Sequence, residues 1–485
     1  MGIFLSFSDF RNRWKNPQSS CVCFGKMKSP LDAGYDRRQF IKVSSAAALG
    51  AMGATSLQAQ EKKKLRVAFI GVGNRGAKNV NSVMSHPAVE AYAFCDVNVK
   101  AMDGWKKKYP KAHYELDYRK LFKEHADQFD AVVISTPDHM HAPILLKAMA
   151  MDKHVYAEKP LLHQLDELRM VRKAIAAKPH LVTQMGNQRS CSPLKMQFVE
   201  LLRSGALGEI KGAWVWSKPM SASKYFIPPN LDAYPVSDAP APANGAWDKW
   251  LGCSKEDLDF HPGLFDKKWR ACWEFGSGMM GDWTPHLVDA VVYGMDLKQG
   301  PKKAITLSQS QPHKVTFGQN FHSKLTFDGV KASGGKEFVV HVTDGEKPKA
   351  ADYHFPEGLK FGANQTMIDT EAGTLISTAA GKGWNIYKDG KSVKESLTMP
   401  KTTVHHHWHD WVANCLGAKK HLWSPFETGC LITELSLLPA KLTAFPNTEV
   451  DWNSSECRFS NHDEANAKVV SREYREGFGV PSEFS

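Results

Sequence analysis

The sequence predicts an α/β protein. An N-terminal doubly wound parallel sheet is followed by a second α/β domain with a large open, mostly antiparallel sheet. Three observations carry this. The apolar run Leu65 to Ile70 ends on Gly71, Gly73 and Gly76, spaced G-x-G-x-x-G. Strand-like and helix-like stretches then alternate up to about residue 186, the rhythm of a parallel sheet with crossover helices. After Gly208 the runs lengthen and alternate in polarity, as in a sheet with one covered face.

The strands expected in the first region are Leu65–Ile70, Val89–Cys95, Ala131–Ser135, His154–Ala157 and Leu181–Met185. Ala142–Met151, Leu165–Ala176 and Lys195–Ser204 read as helices. In the second region Ile210–Trp216, Ala304–Ser310, Lys314–Phe327, Glu337–Thr343 and Thr366–Thr378 read as strands, and His405–Leu416 and Thr428–Leu442 as helices. Lys218 to Asn244, rich in Pro, Ala and Ser, reads as a long ordered loop or lid. Trp247 to Val292 is dense in aromatics and mixes helix with loop. This divides the chain into a targeting segment (1–60), a dinucleotide domain (64–186), a substrate domain (187–445) and a tail (446–485) that packs back on the body.

The 485 residues are 42% apolar, enough for two or three domains with real cores. The net charge of +11 comes without a long basic run or a basic stripe interleaved with aromatics, which argues against a nucleic-acid partner. The nine cysteines form no C-x-x-C and are scattered beyond residue 60, a pattern that suits neither a disulfide framework nor a zinc site. No stretch reaches the length of a membrane span. Arg37-Arg38 precedes an alanine-rich apolar run, Val43 to Ser56, and then Leu57-Gln58-Ala59-Gln60, a small-residue cleavage pattern. These three regions resemble a twin-arginine export signal and predict a periplasmic or secreted protein that is exported folded. Residues 1–26 fit no signal, and Met27 is an alternative start.

The glycine motif predicts a dinucleotide site. Glycine permits the tight turn and close approach to a pyrophosphate, and the following helix aims its free N–H groups at that anion. Asp96 stands 20 residues after Gly76, at the end of the second apolar run, where a carboxylate accepts hydrogen bonds from a ribose. It favours NAD because it would repel a 2′-phosphate, while Arg75 beside the motif leaves NADP open. Lys159 follows the strand His154–Ala157 at the rim where a cofactor lies, placed to stabilise a developing alkoxide. Asp282 and His286 are four residues apart; on one helix face they would act on the same oxygen, with histidine as proton shuttle. The competing reading makes Asp282 an N-cap and His286 a core histidine. Asn187 falls at the same rim and is expected to orient nicotinamide or substrate, or to cap a turn. His405, His406, His407 and His409 lack the spacing of a metal site, so no metal is expected and a substrate-facing histidine among them is favoured.

The stretches Gly71–Gly76, Ser135–Pro143 (STPDHMHAP), Ala157–Pro160 (AEKP) and Asp282–His286 together resemble the Gfo/Idh/MocA family of glucose–fructose oxidoreductase and inositol dehydrogenase type, over roughly residues 64 to 440. The resemblance implies a Rossmann domain followed by an α/β domain whose open sheet often mediates homo-oligomers. It implies a sugar or polyol substrate, with Lys159, Asp282 and His286 as catalytic residues and His286 as the acid/base. Thr136, Pro137 and His141 match the family's nucleotide-contacting loop. The candidate cofactor set is Gly71, Gly73, Asn74, Arg75, Gly76, Asp96, Ser135, Thr136, Pro137, His141, Glu158, Lys159 and Asn187. Trp269, Arg270, Trp283 and Asp289 are the substrate-binding candidates, the tryptophans to stack on sugar faces and Arg270 to bind hydroxyls or a carboxylate; the alternative for the tryptophans is core. The implied activity is an NAD-dependent oxidoreductase with a recycled cofactor. A redox-assisted glycosidase is the alternative, and a non-catalytic sugar-binding relative is third.

Overall fold

A computed structural model of the protein describes residues 64–222, 231–308, 313–378 and 381–485. The targeting segment and part of the Lys218–Asn244 loop lie outside the described residues. The first sheet is parallel throughout. Its strands are β1 (Leu65–Ile70), β2 (Val89–Cys95), β3 (His113–Glu115), β4 (Ala131–Ile134), β5 (His154–Glu158) and β6 (Thr183–Gly186), in the order β3-β2-β1-β4-β5-β6. This is the doubly wound order expected, with the crevice at the β1/β4 switch point. The helices joining them are α1 (Asn74–Met84), α2 (Val99–Lys108), α3 (Tyr118–His125), α4 (His141–Ala150) and α5 (Glu167–Ala177). The strand interiors are apolar on both faces, as helices on both sides require: Val67, Phe69, Val133 and Tyr156 pack on one side and Ala68, Ile70, Val132 and Ala157 on the other.

After α6 (Pro193–Arg203), β7 (Ile210–Ser217) enters the second sheet. The short helices α7 (Ala246–Leu251), α8 (Pro262–Asp266) and α9 (Gly278–Trp283) and the longer α10 (Pro285–Gly294) come next. The remaining strands are β8 (Lys303–Ser308), β9 (Phe321–Phe327), β10 (Phe338–Asp344), β11 (Gln365–Thr370), β12 (Gly373–Thr378), β13 (Gly383–Lys388), β14 (Lys391–Ser392), β15 (Glu449–Asn453) and β16 (Arg458–Phe459). The sheet order is β14-β13-β12-β11-β7-β10-β9-β8-β15-β16, antiparallel except for the β7–β10 pair. Ala213, Val215, Leu325 and Val340 face the helices and are fully buried or nearly so, while Lys211 and Lys324 are exposed.

Two expected strands differ. Of Lys314–Phe327, only Phe321 onward is strand. Val315 and Phe317 are instead buried against the aromatic block, where the Trp273 N–H donates to the Val315 carbonyl and Thr316 bridges Cys272. Thr366–Thr378 is a hairpin, turning at Glu371-Ala372 before Gly373 at φ +140°. The layers around the second sheet are not continuous in sequence. Helix α11 (His407–Cys415) returns to the first sheet, packs beside α1 and buries Trp411 and Val412 in its core. Helix α12 (Phe426–Leu442) is buried along nearly its whole length between α5 and α10, consistent with its apolar character all round.

His407 is buried on α11 edge-on to Tyr156, and burial lowers its pKa to about 3. The unfolded chain therefore binds this proton more readily, and stability present above about pH 6.5 is lost as the pH falls. His407→Leu should remove that component. Between about pH 6.5 and pH 4.5 the variant should lose roughly 2 kcal/mol less stability than the parent. Urea unfolding at the two pH values measures this, and equal losses in both proteins would refute it.

Candidate active site at the carboxyl edge of the parallel sheet

A cavity of about 860 Å³ runs along the carboxyl ends of β1, β2, β4 and β5. Its wall begins at the glycine turn. Gly71 sits at φ +77°, and a Cβ there would lie 2.6 Å from the Ser135 carbonyl oxygen. Gly73 faces the cavity with no atom nearer than the Ala101 Cβ at 3.4 Å, the clearance a pyrophosphate needs. Gly76 does not line the cavity; it lets α1 close on the Gly71 carbonyl, where a Cβ would come within 1.9 Å. Asp96, just past β2, lines the cavity and accepts the N–H groups of Val72 and Asn98, each at 2.8 Å. Burial raises its pKa while these N–H groups oppose the rise.

The middle of the cavity is polar. One oxygen of Glu158 accepts from Arg75 Nε at 3.0 Å, Asn79 Nδ2 at 2.8 Å and Gln188 Nε2 at 2.7 Å. Arg75 Nη2 and Thr136 Oγ1, both on cavity-lining residues, are buried without a hydrogen-bond partner. Orphaned donors beside an open glycine turn fit a bound dinucleotide, since buried polar groups left unmatched are costly. Asn74, Ser135 and Pro137 also line the cavity. His141 does not. Its ring spans the carbonyls of Pro160 at 2.8 Å and Thr136 at 3.1 Å, so it braces the loops after β4 and β5 rather than touching a ligand.

At the far end the two domains meet. Lys159 Nζ donates to the Asp282 main-chain oxygen at 2.7 Å and to its Oδ1 at 2.9 Å. Arg270 Nε lies 3.6 Å from the same carboxylate oxygen, and its guanidinium stacks over Trp269 at 4.3 Å. Burial would raise the Asp282 pKa, but Lys159 and Arg270 outweigh it and hold the carboxyl below its usual value. Asp282 is no N-cap: it lies in the last turn of α9, and Pro285, which lacks an N–H, opens α10 three residues later. Trp269, Arg270, Trp283 and His286 line the cavity with Lys159 and Asp282.

His286 is held from behind. Asn187 Nδ2 donates to the Pro285 carbonyl at 2.9 Å and to Asp289 Oδ2 at 3.0 Å. Its Oδ1 is thereby left to accept from His286 Nδ1. The ring then carries its proton on Nδ1 and presents the Nε2 lone pair to the cavity. Burial and then the positive charge of Lys159 push its pKa well below the ordinary value, so the ring is neutral. Asp289 is fully buried and ion-paired with Lys195 Nζ at 2.5 Å, and that ammonium also donates to the His286 carbonyl at 2.7 Å. Asn187 and Asp289 therefore do not line the cavity, contrary to the expectation of ligand contact; they fix the histidine. Lys195 was not anticipated, since a lysine in an ordinary amphipathic helix carries no signal of burial. Arg189 and Asp138, which do line the cavity, were also missed. None of His405, His406, His407 and His409 lines it. Among the described residues no group of three His, Cys, Asp or Glu could hold a metal ion.

Replacing Asp96 by Ala should narrow the preference for NAD over NADP. Both cofactors are titrated against parent and variant, and the ratio of affinities is the readout because general loosening of the turn affects both. An unchanged ratio would show that Asp96 does not discriminate.

Residues 65–186 match the model of the oxidoreductase family with an NAD-binding Rossmann fold. The alpha-N-acetylgalactosaminidase of Shewanella oneidensis is 30% identical over 171 residues, 32% of this chain and 35% of that protein. A glycosyl hydrolase family 109 protein of Parabacteroides distasonis is 28% identical over 374 residues, 67% of this chain and 75% of that protein. The chain thus spans about a third of the first relative's length and three quarters of the second's. Among solved structures, the WlbA dehydrogenase of Bordetella pertussis in complex with NADH and UDP-GlcNAcA superposes with a TM-score of 0.54 at 16% identity, covering 80% of this chain and 99% of that one, a likeness of fold. Residues 65–186 are an NAD-binding Rossmann domain of the Gfo/Idh/MocA oxidoreductase family.

Proposed function

We propose that the protein is an NAD-dependent oxidoreductase acting on a hydroxyl or carbonyl carbon of a sugar, polyol or glycoside. The observation that carries this is the convergence of Lys159, Asp282 and His286 at one end of the dinucleotide cavity. A nicotinamide bound there would supply the hydride acceptor. His286 Nε2 takes the proton of the substrate hydroxyl. Lys159 has two donors committed to Asp282, and its third is free to meet the oxygen as negative charge builds on it. Asp282 and Arg270 hold that lysine and its surroundings in place, and Trp269 and Trp283 offer faces to a sugar ring.

A second reading is favoured by the relatives named as alpha-N-acetylgalactosaminidase and glycosyl hydrolase family 109 proteins. Here the same groups would oxidise a sugar hydroxyl to a ketone, which acidifies the neighbouring C–H bond. Loss of that proton expels the aglycone, water adds, and the hydride returns to the sugar. The two readings differ in products: an oxidised sugar in the first, a released aglycone with solvent deuterium on the ring in the second.

Lys159→Ala and His286→Ala should each retain bound NAD and lower turnover by roughly 10²-fold or more. Asn187→Asp should place a negative charge on the Nδ1 side of His286, raise its pKa and move the acidic limb of the rate profile to higher pH. Unchanged turnover in both alanine variants, or an unmoved acidic limb, would assign the chemistry elsewhere.

We also propose export of the folded protein, on the Arg37-Arg38 segment. Changing both arginines to lysine should leave precursor in the cytoplasm, as read by fractionation; normal export of that variant would rule it out.

A further inference from the structure

The cavity wall beyond Asp96 is not made by the Rossmann domain alone. Phe478, from the tail, lines it together with Leu116 and Tyr118, its ring centre 6.4 Å from that of Tyr118, and is only 3% exposed. Lys249 and Trp250 on α7 and Phe265 and Asp266 on α8 line it too. These pieces are tied to one another. Arg475 Nε donates to the Gly252 carbonyl at 2.8 Å, its Nη1 to Asp248 Oδ1 at 2.6 Å and its Nη2 to the Asp248 carbonyl at 2.7 Å, so the tail grips α7. The Arg475 guanidinium lies 4.6 Å from the centre of the Phe478 ring, and that of Arg119 lies 3.7 Å from it. Arg119 is itself clamped by Asp117, whose carboxylate accepts from its Nη2 at 2.6 Å.

The tail is anchored upstream as well. The Arg472 guanidinium pairs with the Glu274 carboxylate, and the Tyr474 hydroxyl donates to Glu167 Oε1 at 2.8 Å. Arg472 is 7% exposed and Glu274 24%, while Glu167 is fully buried, so these contacts are partly shielded from the water and salt that weaken surface pairs.

Resting on the reading of this cavity as the NAD site, we infer that the tail and α7–α8 form a clasp over the adenosine end of the cofactor, with Phe478 as its apolar contact and Arg475 as its latch. NAD held under the clasp leaves only when the Arg475 bonds to α7 break and Phe478 withdraws, so it is retained from one turnover to the next. No residue of the catalytic end takes part, and the clasp governs release rather than chemistry.

The test measures exchange without any sugar. The full-length protein is loaded with isotopically labelled NAD, desalted and challenged with excess unlabelled NAD, and retained label is followed with time. The parent protein should hold its label through desalting and release it slowly. Phe478→Ala and Arg475→Ala should each release it at least about tenfold faster, as loss of contacts made only in the bound state appears mainly in the dissociation rate. Phe478→Tyr, which keeps the ring, should release at nearly the parent rate. Far-UV circular dichroism of each variant separates faster release from unfolding, and Phe478→Ala serves if Arg475→Ala does not fold. Parent protein that loses its label during desalting, or folded Phe478→Ala that releases at the parent rate, overturns the clasp while leaving the catalytic assignment standing. Parent protein that carries no NAD as purified and takes none up overturns both.

Discussion

The contact between Lys159 and Asp282 sets where the two domains meet, and the rest of the site depends on it. Lys159 leaves β5 at the carboxyl edge of the parallel sheet, and Asp282 lies in the last turn of α9 in the other domain. The ammonium holds both a main-chain and a side-chain oxygen of one residue. Main-chain engagement fixes the end of the helix as well as the carboxylate, so His286 one turn later is placed along with Asp282. The pair is desolvated but not isolated, because Arg270 supplies a second positive charge to the same carboxylate. Removing either partner would strand a buried charge, which is why such pairs hold geometry more firmly than their net contribution to stability suggests.

The same principle operates a layer deeper. Lys195 and Asp289 are both buried, and their pairing lets a carboxylate sit behind the histidine without confronting it directly. Asn187 stands between them as an insulator. Its amide transmits orientation, since its Nδ2 is held by two acceptors and its Oδ1 faces the ring nitrogen, but it carries no net charge to stabilise an imidazolium. The result is a histidine of fixed tautomer and low basicity, flanked by positive charge.

Legibility in the sequence followed locality. The glycine turn, Asp96 and the five-strand alternation are local patterns, and the sheet order follows from them with little freedom. Lys159, Asp282 and His286 were readable as motifs, although the helix break at Pro285 was not, because the four-residue spacing is the same with or without it. Residues whose role depends on distant partners were misread or missed. Asp289 looks like a ligand-facing acid four residues from Pro285, yet its partner is Lys195, 94 residues earlier. His141 looks like a nucleotide contact because it sits in a nucleotide loop, and only the position of the Pro160 carbonyl shows it to be a brace. Phe478 carried no signal at all: one of five aromatics in the tail, it acquires meaning only when Arg475 ties the tail to α7.

These features bear on each other. A histidine whose charged form is disfavoured is a weak base and, once protonated, a strong acid, so the proton it takes in one half of a cycle is returned readily in the other. A cofactor that stays bound imposes that demand, since whatever hydride it accepts must be given back before the next substrate is oxidised. The neutral Asn187 behind His286 and the tail across the far end of the cavity are 291 residues apart in sequence (187 to 478) and make no mutual contact. Under the proposed reaction both serve a single constraint, a proton and a hydride that move out and back within one closed site.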